Sequence, residues 1–165
     1  MAALAVSYRV AAIVLSDRAA SGERADACLP AIRETLGEGF SVDDARIMPD
    51  EPSELQAALI DLADRDRMPL VITSGGTGLS PRDRTPQATA AVLDYDVPGI
   101  AEAMRAASIA LVPAAMLSRA VAGVRGATLI VNLPGSPQAV RETLAVILPV
   151  LPHALDTLAG IRADG

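Results

Sequence analysis

Four short runs in this chain, three of them apolar, each end in a polar or glycine-bearing loop. Residues 9–15 (RVAAIVL) lead into Ser16, Asp17 and Arg18, and residues 41–47 lead into Met48, Pro49, Asp50, Glu51 and Pro52. Residues 70–73 lead into Ser74, Gly75, Gly76, Thr77 and Gly78, and residues 128–133 into Pro134, Gly135 and Ser136. Runs this short and this rich in β-branched residues read as strands, most of them buried on both faces as in a parallel sheet. Between them lie stretches with helical spacing. Residues 25–36 place Cys28, Ile32 and Leu36 on one face and stop at Gly37. The capping-box sequence Ser53-Glu54-Leu55-Gln56 predicts a helix reaching about Arg65, and Thr85 before Pro86 predicts an N-cap for a helix reaching about Leu93. Further helix is expected over residues 102–108, 137–145 and 150–158, and a further strand over residues 121–124. The pattern predicts one α/β domain over residues 1–165, its mostly parallel sheet covered by helices on both faces. Ligands in such folds bind beyond the carboxyl ends of the strands, where all four polar loops should open.

Residue types narrow the chemistry. The chain has 165 residues and a formal net charge of −6, and all 14 of its basic residues are Arg. Schiff-base catalysis and the lysine-dependent phosphate loop are therefore excluded. An acidic balance without a basic run argues against a nucleic-acid partner, and so does the scarcity of aromatics, which are only Tyr8, Phe40 and Tyr95. Cys28 stands alone, so no internal disulfide is possible, and no signal peptide or membrane span is read; the cytoplasm is the expected location. The single His, His153, lies in a helical pattern far from any exposed Ser motif, and both it and Cys28 read as structural. Carboxylates, guanidinium groups, hydroxyls, backbone N–H groups and a hard metal ion remain. These are the tools of phosphate chemistry.

The loop over residues 74–85 is long for a compact domain. Gly75, Gly76, Thr77 and Gly78 form either a plain turn or an anion-binding nest, with the helix at Pro86 adding its dipole. Asp83, between Arg82 and Arg84, reads as a surface ion pair, a helix cap or a ligand; Asp50 reads as a turn residue or a ligand. If their loops share one sheet end, the two carboxylates share a site, and Mg²⁺ would relieve their repulsion. Arg82 or Arg84 could instead neutralise a transferring phosphate. Pro134-Gly135 suits an ordinary turn; Asn132, the only Asn, needs partners if its amide is buried. Ser16, Asp17, Arg18, Ser21 and Gly22 read by default as capping residues.

Taken together, five ordered motifs resemble the molybdopterin adenylyltransferases, the MogA-type proteins and gephyrin-type G domains. They are SDRAASG from Ser16, IMPDE from Ile47, TSGGTGLSPRDRTPQAT from Thr73, MLSRAVAGVRG from Met116 and NLPGSP from Asn132. The tail LPHALDTL from Leu151 also resembles the end of the gephyrin-type domain. The resemblance implies a three-layer αβα sandwich and a homotrimer. It implies Mg²⁺-dependent transfer of AMP from ATP to the terminal phosphate of molybdopterin, with pyrophosphate released. Asp50 and Asp83 match the family's two functional aspartates, which implies catalytic and metal-binding roles. Ser74, Gly75, Gly76, Thr77 and Gly78 match nucleotide-binding segments, as do Asn132, Pro134, Gly135 and Ser136. Ser118 and Arg119 fall in a segment linked to the pterin side. A downstream molybdenum-insertion protein is an implied partner. Ser74 stands where Thr is common in the family, and the absence of Lys leaves every basic contact to Arg. The rival reading is a carrier module of the same fold that binds molybdopterin or nucleotide without catalysis.

Overall fold

The computed structural model describes residues 7–161. Its first strand, β1 (Tyr8–Leu15), lies between the two cores of the domain. Val10, Ala12 and Val14 enter one core cluster while Ala11, Ile13 and Leu15 enter another on the opposite face of the sheet. A continuous apolar run is what a strand needs when both of its faces are covered.

The sheet has six strands in the order β2-β1-β3-β6-β5-β4. β2 (Phe40–Met48), β3 (Leu70–Ser74) and β6 (Thr128–Leu133) run parallel to β1, whereas β5 (Ala122–Arg125) and β4 (Tyr95–Asp96) extend the sheet in antiparallel fashion. Turning at Gly126, β5 and β6 form a hairpin, because two residues of loop permit only antiparallel pairing. β4, at two residues, is too short to leave a periodic signal. β2 is an outer strand whose residues alternate between half-buried and exposed, with Asp43, Asp44 and Arg46 keeping its open edge charged.

Helices α2 (Cys28–Leu36), α5 (Pro98–Ile109), α6 (Pro137–Ile147) and α7 (Leu151–Leu158) pack on one face. α3 (Pro52–Ile60), a π-helical continuation over Asp61–Arg65, and α4 (Thr85–Ala90) pack on the other. This gives the three expected layers. Among the described residues no helix is long and apolar enough to cross a membrane.

Several local expectations are corrected. The loop after β1 contains a short helix, α1 (Asp17–Ala20), because the Ser16 hydroxyl accepts from the Ala19 N–H at 3.2 Å and caps it. The helix expected from residue 25 starts at Cys28, where Asp26 accepts from the N–H groups of Cys28 and Leu29, both at 2.9 Å. Ser53 does not cap α3: Pro52 occupies the first turn, which puts Glu51 at the cap without a side-chain bond. Thr85 is likewise the first helical residue, buried, with its N–H committed to the Gly76 carbonyl at 3.1 Å. Pro98 starts α5 earlier than expected, and His153 is exposed on α7.

Strand register explains where the site lies. Leu15 pairs with Met48, Val14 with Ser74, and Ser74 with Leu133. Four parallel strands therefore end in line, and their loops converge beyond one edge of the sheet.

Candidate active site

The converging loops are packed backbone against backbone. Gly75 donates its N–H to the Leu133 carbonyl at 3.1 Å, and the buried Ser74 hydroxyl donates to the Pro134 carbonyl at 2.7 Å. Gly75 has φ +102°, and a Cβ there would collide with the Leu15 carbonyl oxygen; Gly76 has φ +69°, and a Cβ there would collide with the Thr85 hydroxyl. Only glycine meets both demands at these two positions. Among the described residues the N–H groups of Gly76, Thr77 and Gly78 have no acceptor. Successive free N–H groups in a left-handed turn are the elements of an anion nest.

Two cavities flank this loop. The smaller, of about 150 Å³, lies over the ends of β1 and β3 and is lined by Ser16, Asp26, Asp50, Ser74, Gly75 and Asp83 among others. The larger, of about 510 Å³, lies between α5, α6 and the 3₁₀ segment Pro113–Leu117. Its walls are largely apolar, with Ala101, Met104, Val112 and Leu117, while Arg105, Ser118 and Glu142 supply polar groups. That volume suits a drug-sized or cofactor-sized ligand. Gly76, Asp83 and Gly135 border both cavities, so they meet at the loop.

Asp50 and Asp83 both reach the smaller cavity. Asp50 is held by a reciprocal pair of bonds: its N–H donates to Asp17 Oδ1 at 2.9 Å, and its Oδ2 accepts from the Asp17 N–H at 3.2 Å. Asp83 Oδ2 accepts from the Ser80 N–H at 3.0 Å. Each carboxylate thus keeps one oxygen without a hydrogen-bond donor among the described residues. Burial pushes the Asp50 carboxyl above the usual carboxylate range; the Asp17 N–H pulls against it, and the nearby charges of Asp17 and Asp83 add to the rise. A cation would relieve this. Among the described residues no group of three or more acidic, His or Cys side chains gathers to cage a metal. Two carboxylates without a cage fit Mg²⁺, which binds through one or two carboxylates plus phosphate oxygens and keeps several waters.

A family model described as a probable molybdopterin binding domain matches residues 11–153. The chain belongs to this family. Among its relatives, the molybdopterin adenylyltransferase of Escherichia coli K12 is 42% identical over 141 residues, covering 84% of this chain and 72% of that protein. The molybdopterin adenylyltransferase of Helicobacter pylori J99 is 39% identical over 160 residues, covering 93% and 89%. The crystal structure of the molybdopterin biosynthesis enzyme MoaB from Thermus thermophilus matches with a TM-score of 0.88 at 52% identity, covering 93% of this chain and 97% of that one.

Not every residue expected at the site presents its side chain there. Pro134, Gly135 and Ser136 border the large cavity, although the Ser136 hydroxyl also caps α6 by accepting from the Ala139 N–H at 3.2 Å. Asn132 is fully buried and its amide is committed to Thr73, Thr89 and Val121. Ser118 lines the large cavity, but Arg119 donates to loop carbonyls. Arg82 is not free for phosphate: it forks onto Asp17 at 2.6 and 2.9 Å and reaches Glu51 at 3.0 Å. Arg84 is exposed and donates to the Pro81 carbonyl at 3.4 Å. Sequence reasoning missed Arg105, whose guanidinium donates to the Ala120 carbonyl at 2.8 Å while lining the large cavity. Its partners are main-chain carbonyls beyond the end of its own helix, so no local motif marks it. Asp17, read only as a capping residue, is the partner of both Asp50 and Arg82.

Gly76→Val tests the cradle. The branched side chain would meet Thr85 and lie 3.1 Å from Asp50 Oδ1, at a φ that L side chains rarely adopt. ATP affinity is expected to fall by at least about 10-fold, since even a small displacement disrupts a positioned site. Calorimetric titration of the folded variant checks this, and unchanged affinity would remove the loop from the nucleotide site.

Proposed function

We propose that the protein transfers the adenylyl group of ATP to the terminal phosphate of molybdopterin, releasing pyrophosphate, in the cytoplasmic synthesis of the molybdenum cofactor. The observation that carries this reading is the meeting of two unlike cavities at one glycine loop. One is small, polar and carboxylate-lined; the other is large and mostly apolar. A triphosphate beside the first and a pterin in the second would bring two phosphates together across Gly76 and Gly135.

An oxygen of the molybdopterin phosphate attacks the α-phosphorus of ATP. The new P–O bond forms as the bond from the α-phosphorus to the oxygen bridging the α- and β-phosphates breaks, and the electron pair leaves on that oxygen with pyrophosphate. The nucleophile is already an anion, so no general base is needed, in keeping with the position of the only His, exposed on α7. Catalysis rests on alignment and on spreading charge. The N–H groups of Gly76, Thr77 and Gly78 donate to phosphate oxygens, and the α6 N-terminus behind Ser136 adds its dipole. Asp50 and Asp83 would hold Mg²⁺, which when bound supplies neutralisation of the triphosphate. The walls of the large cavity present no aromatic side chain among the described residues, so Ala101, Met104 and Leu117 would hold the pterin through aliphatic contact.

Purified protein given molybdopterin, ATP and Mg²⁺ is expected to release one pyrophosphate per adenylylated molybdopterin. A protein that binds molybdopterin but releases none would be a carrier, and the reading would fall. The adenylylated product would then pass to a molybdenum-insertion protein.

The domain is further proposed to work as a homotrimer. Supporting this, Leu111 and Met116 lie close in sequence at 63% and 59% exposure and outside the large cavity, apolar surface that a partner subunit would cover. Sedimentation equilibrium at micromolar concentration is expected to give three times the chain mass; a stable monomer would contradict it.

A further inference from the structure

The turn that follows the 3₁₀ segment Pro113–Leu117 presses Arg119 against the glycine loop. Its N–H donates to the Thr77 carbonyl at 2.9 Å, its Nε to the Gly78 carbonyl at 2.9 Å, and its Nη2 to the Asp83 carbonyl. Three acceptors on one loop are thus fixed by one residue. Among the described residues no carboxylate pairs with this guanidinium, so its charge is not spent in an ion pair. In a trans peptide the N–H points opposite to its C=O. Drawing the carbonyls of Thr77 and Gly78 toward Arg119 therefore turns the N–H groups of Gly78 and Leu79 away from it. Gly78 borders the large cavity, and the third acceptor is the main chain of Asp83 itself. Arg119 is not among the residues lining either cavity, whereas its neighbour Ser118 lines the larger one.

We propose that Arg119 is a positioning residue for the phosphate loop, acting through the carbonyls of Thr77, Gly78 and Asp83, and is not a contact for the pterin. The inference rests on the adenylyl-transfer reading for its effect on turnover, but its effect on binding can be tested without turnover. Removing the fork frees the loop to shift while leaving the apolar walls of the large cavity in place. Residues that orient a binding group through hydrogen bonds typically lose about 10–100-fold when removed.

The test uses Arg119→Met, which keeps the aliphatic stem without donors, and Arg119→Lys, which keeps the charge without the planar fork. ATP–Mg²⁺ and molybdopterin affinities are measured separately by calorimetry, kcat by pyrophosphate release, and folding by thermal melting. Arg119→Met is expected to lower ATP affinity and kcat by about 10–100-fold with molybdopterin affinity near wild type, and Arg119→Lys to recover part of both losses. A variant that loses molybdopterin affinity while binding ATP normally would overturn the proposal and make Arg119 a pterin contact. Unchanged ATP affinity and kcat in a folded variant would overturn it as well. Should Arg119→Met fail to fold, the same comparison of the two affinities in Arg119→Lys decides. Wild-type protein that releases no pyrophosphate would sink adenylyl transfer alone, because the two binding affinities still report on Arg119.

Discussion

Asp50→Asn and Asp83→Asn are each expected to slow pyrophosphate release by about 10²-fold or more, comparable to losing one strong electrostatic contact in other active sites. Asn keeps the size of Asp and the oxygen that accepts from the Asp17 N–H or the Ser80 N–H, so the loops keep their path. What is lost is one negative charge beside the smaller cavity, which both residues line. In Asp50→Asn molybdopterin affinity should change far less, because Asp50 does not border the larger cavity, whereas Asp83 borders both. The double variant should lose less than the product of the two effects, since both carboxylates would serve one ion. Turnover that survives both substitutions would remove the metal site and leave the family membership standing. Stability should move the opposite way for Asp50. Its carboxyl titrates above the usual range, chiefly through burial, so the folded protein binds that proton more tightly than the unfolded chain does. The ionised group therefore costs stability at neutral pH, and that cost disappears as pH falls below the unfolded value of about 3.9. In the presence of a chelator, Asp50→Asn is expected to melt higher than wild type at pH 7, with the difference closing near pH 4. A lower melting temperature at pH 7 would mean that the Asp50 charge is satisfied without a cation.

The parts of this fold that were legible in the sequence are those set by local pattern. β1 showed itself because all residues from Val10 to Leu15 are buried, so the apolar run is unbroken. The convergence of four loops followed from parallel strands ending in register, and the motifs around Asp50 and Asp83 already pointed to one sheet end, where both residues lie. The capping errors at Ser53 and Thr85 share a cause. In both places a Pro near the helix start competed with a hydroxyl for the first turn, and the burial that settled the matter is tertiary. The arginines were illegible for a different reason. Arg82 finds Asp17 across 65 residues and Arg119 finds the Gly78 carbonyl across 41. A motif shows that an Arg is present, but the fold decides whether it faces a phosphate or a carbonyl. Arg119 carried the right neighbourhood, and its bonds to the loop carbonyls are what no motif displays.

Asn132→Leu is expected to cost about 2–4 kcal/mol of stability, the range for breaking a buried hydrogen-bonded cluster. Asn132 is 0% exposed, and its amide nitrogen donates to Thr73 Oγ1 at 2.9 Å and to Thr89 Oγ1 at 3.0 Å. Its side-chain oxygen accepts from the Val121 N–H at 3.2 Å, and its main-chain N–H donates to the Val121 carbonyl at 3.0 Å. One side chain thus ties β3, β6, α4 and the lead-in to β5. Both threonine side chains it holds are also 0% exposed, so water cannot replace the lost partner. Leu matches the volume but leaves the Val121 N–H without its side-chain acceptor and the two hydroxyls without their donor. For a domain of this size the loss corresponds to a fall in melting temperature of about 5–15 °C. The site should suffer second-hand, because Leu133 follows directly and its carbonyl holds Gly75 at 3.1 Å. ATP affinity is therefore expected to weaken together with stability and to recover, in part, under conditions that restabilise the fold. If Asn132 touched the nucleotide directly, the order would reverse: affinity would collapse in a variant that melts like wild type. Thermal melting and calorimetric titration of the same preparation separate the two. A melting temperature unchanged from wild type would show that this buried amide is not what holds the strand ends in place.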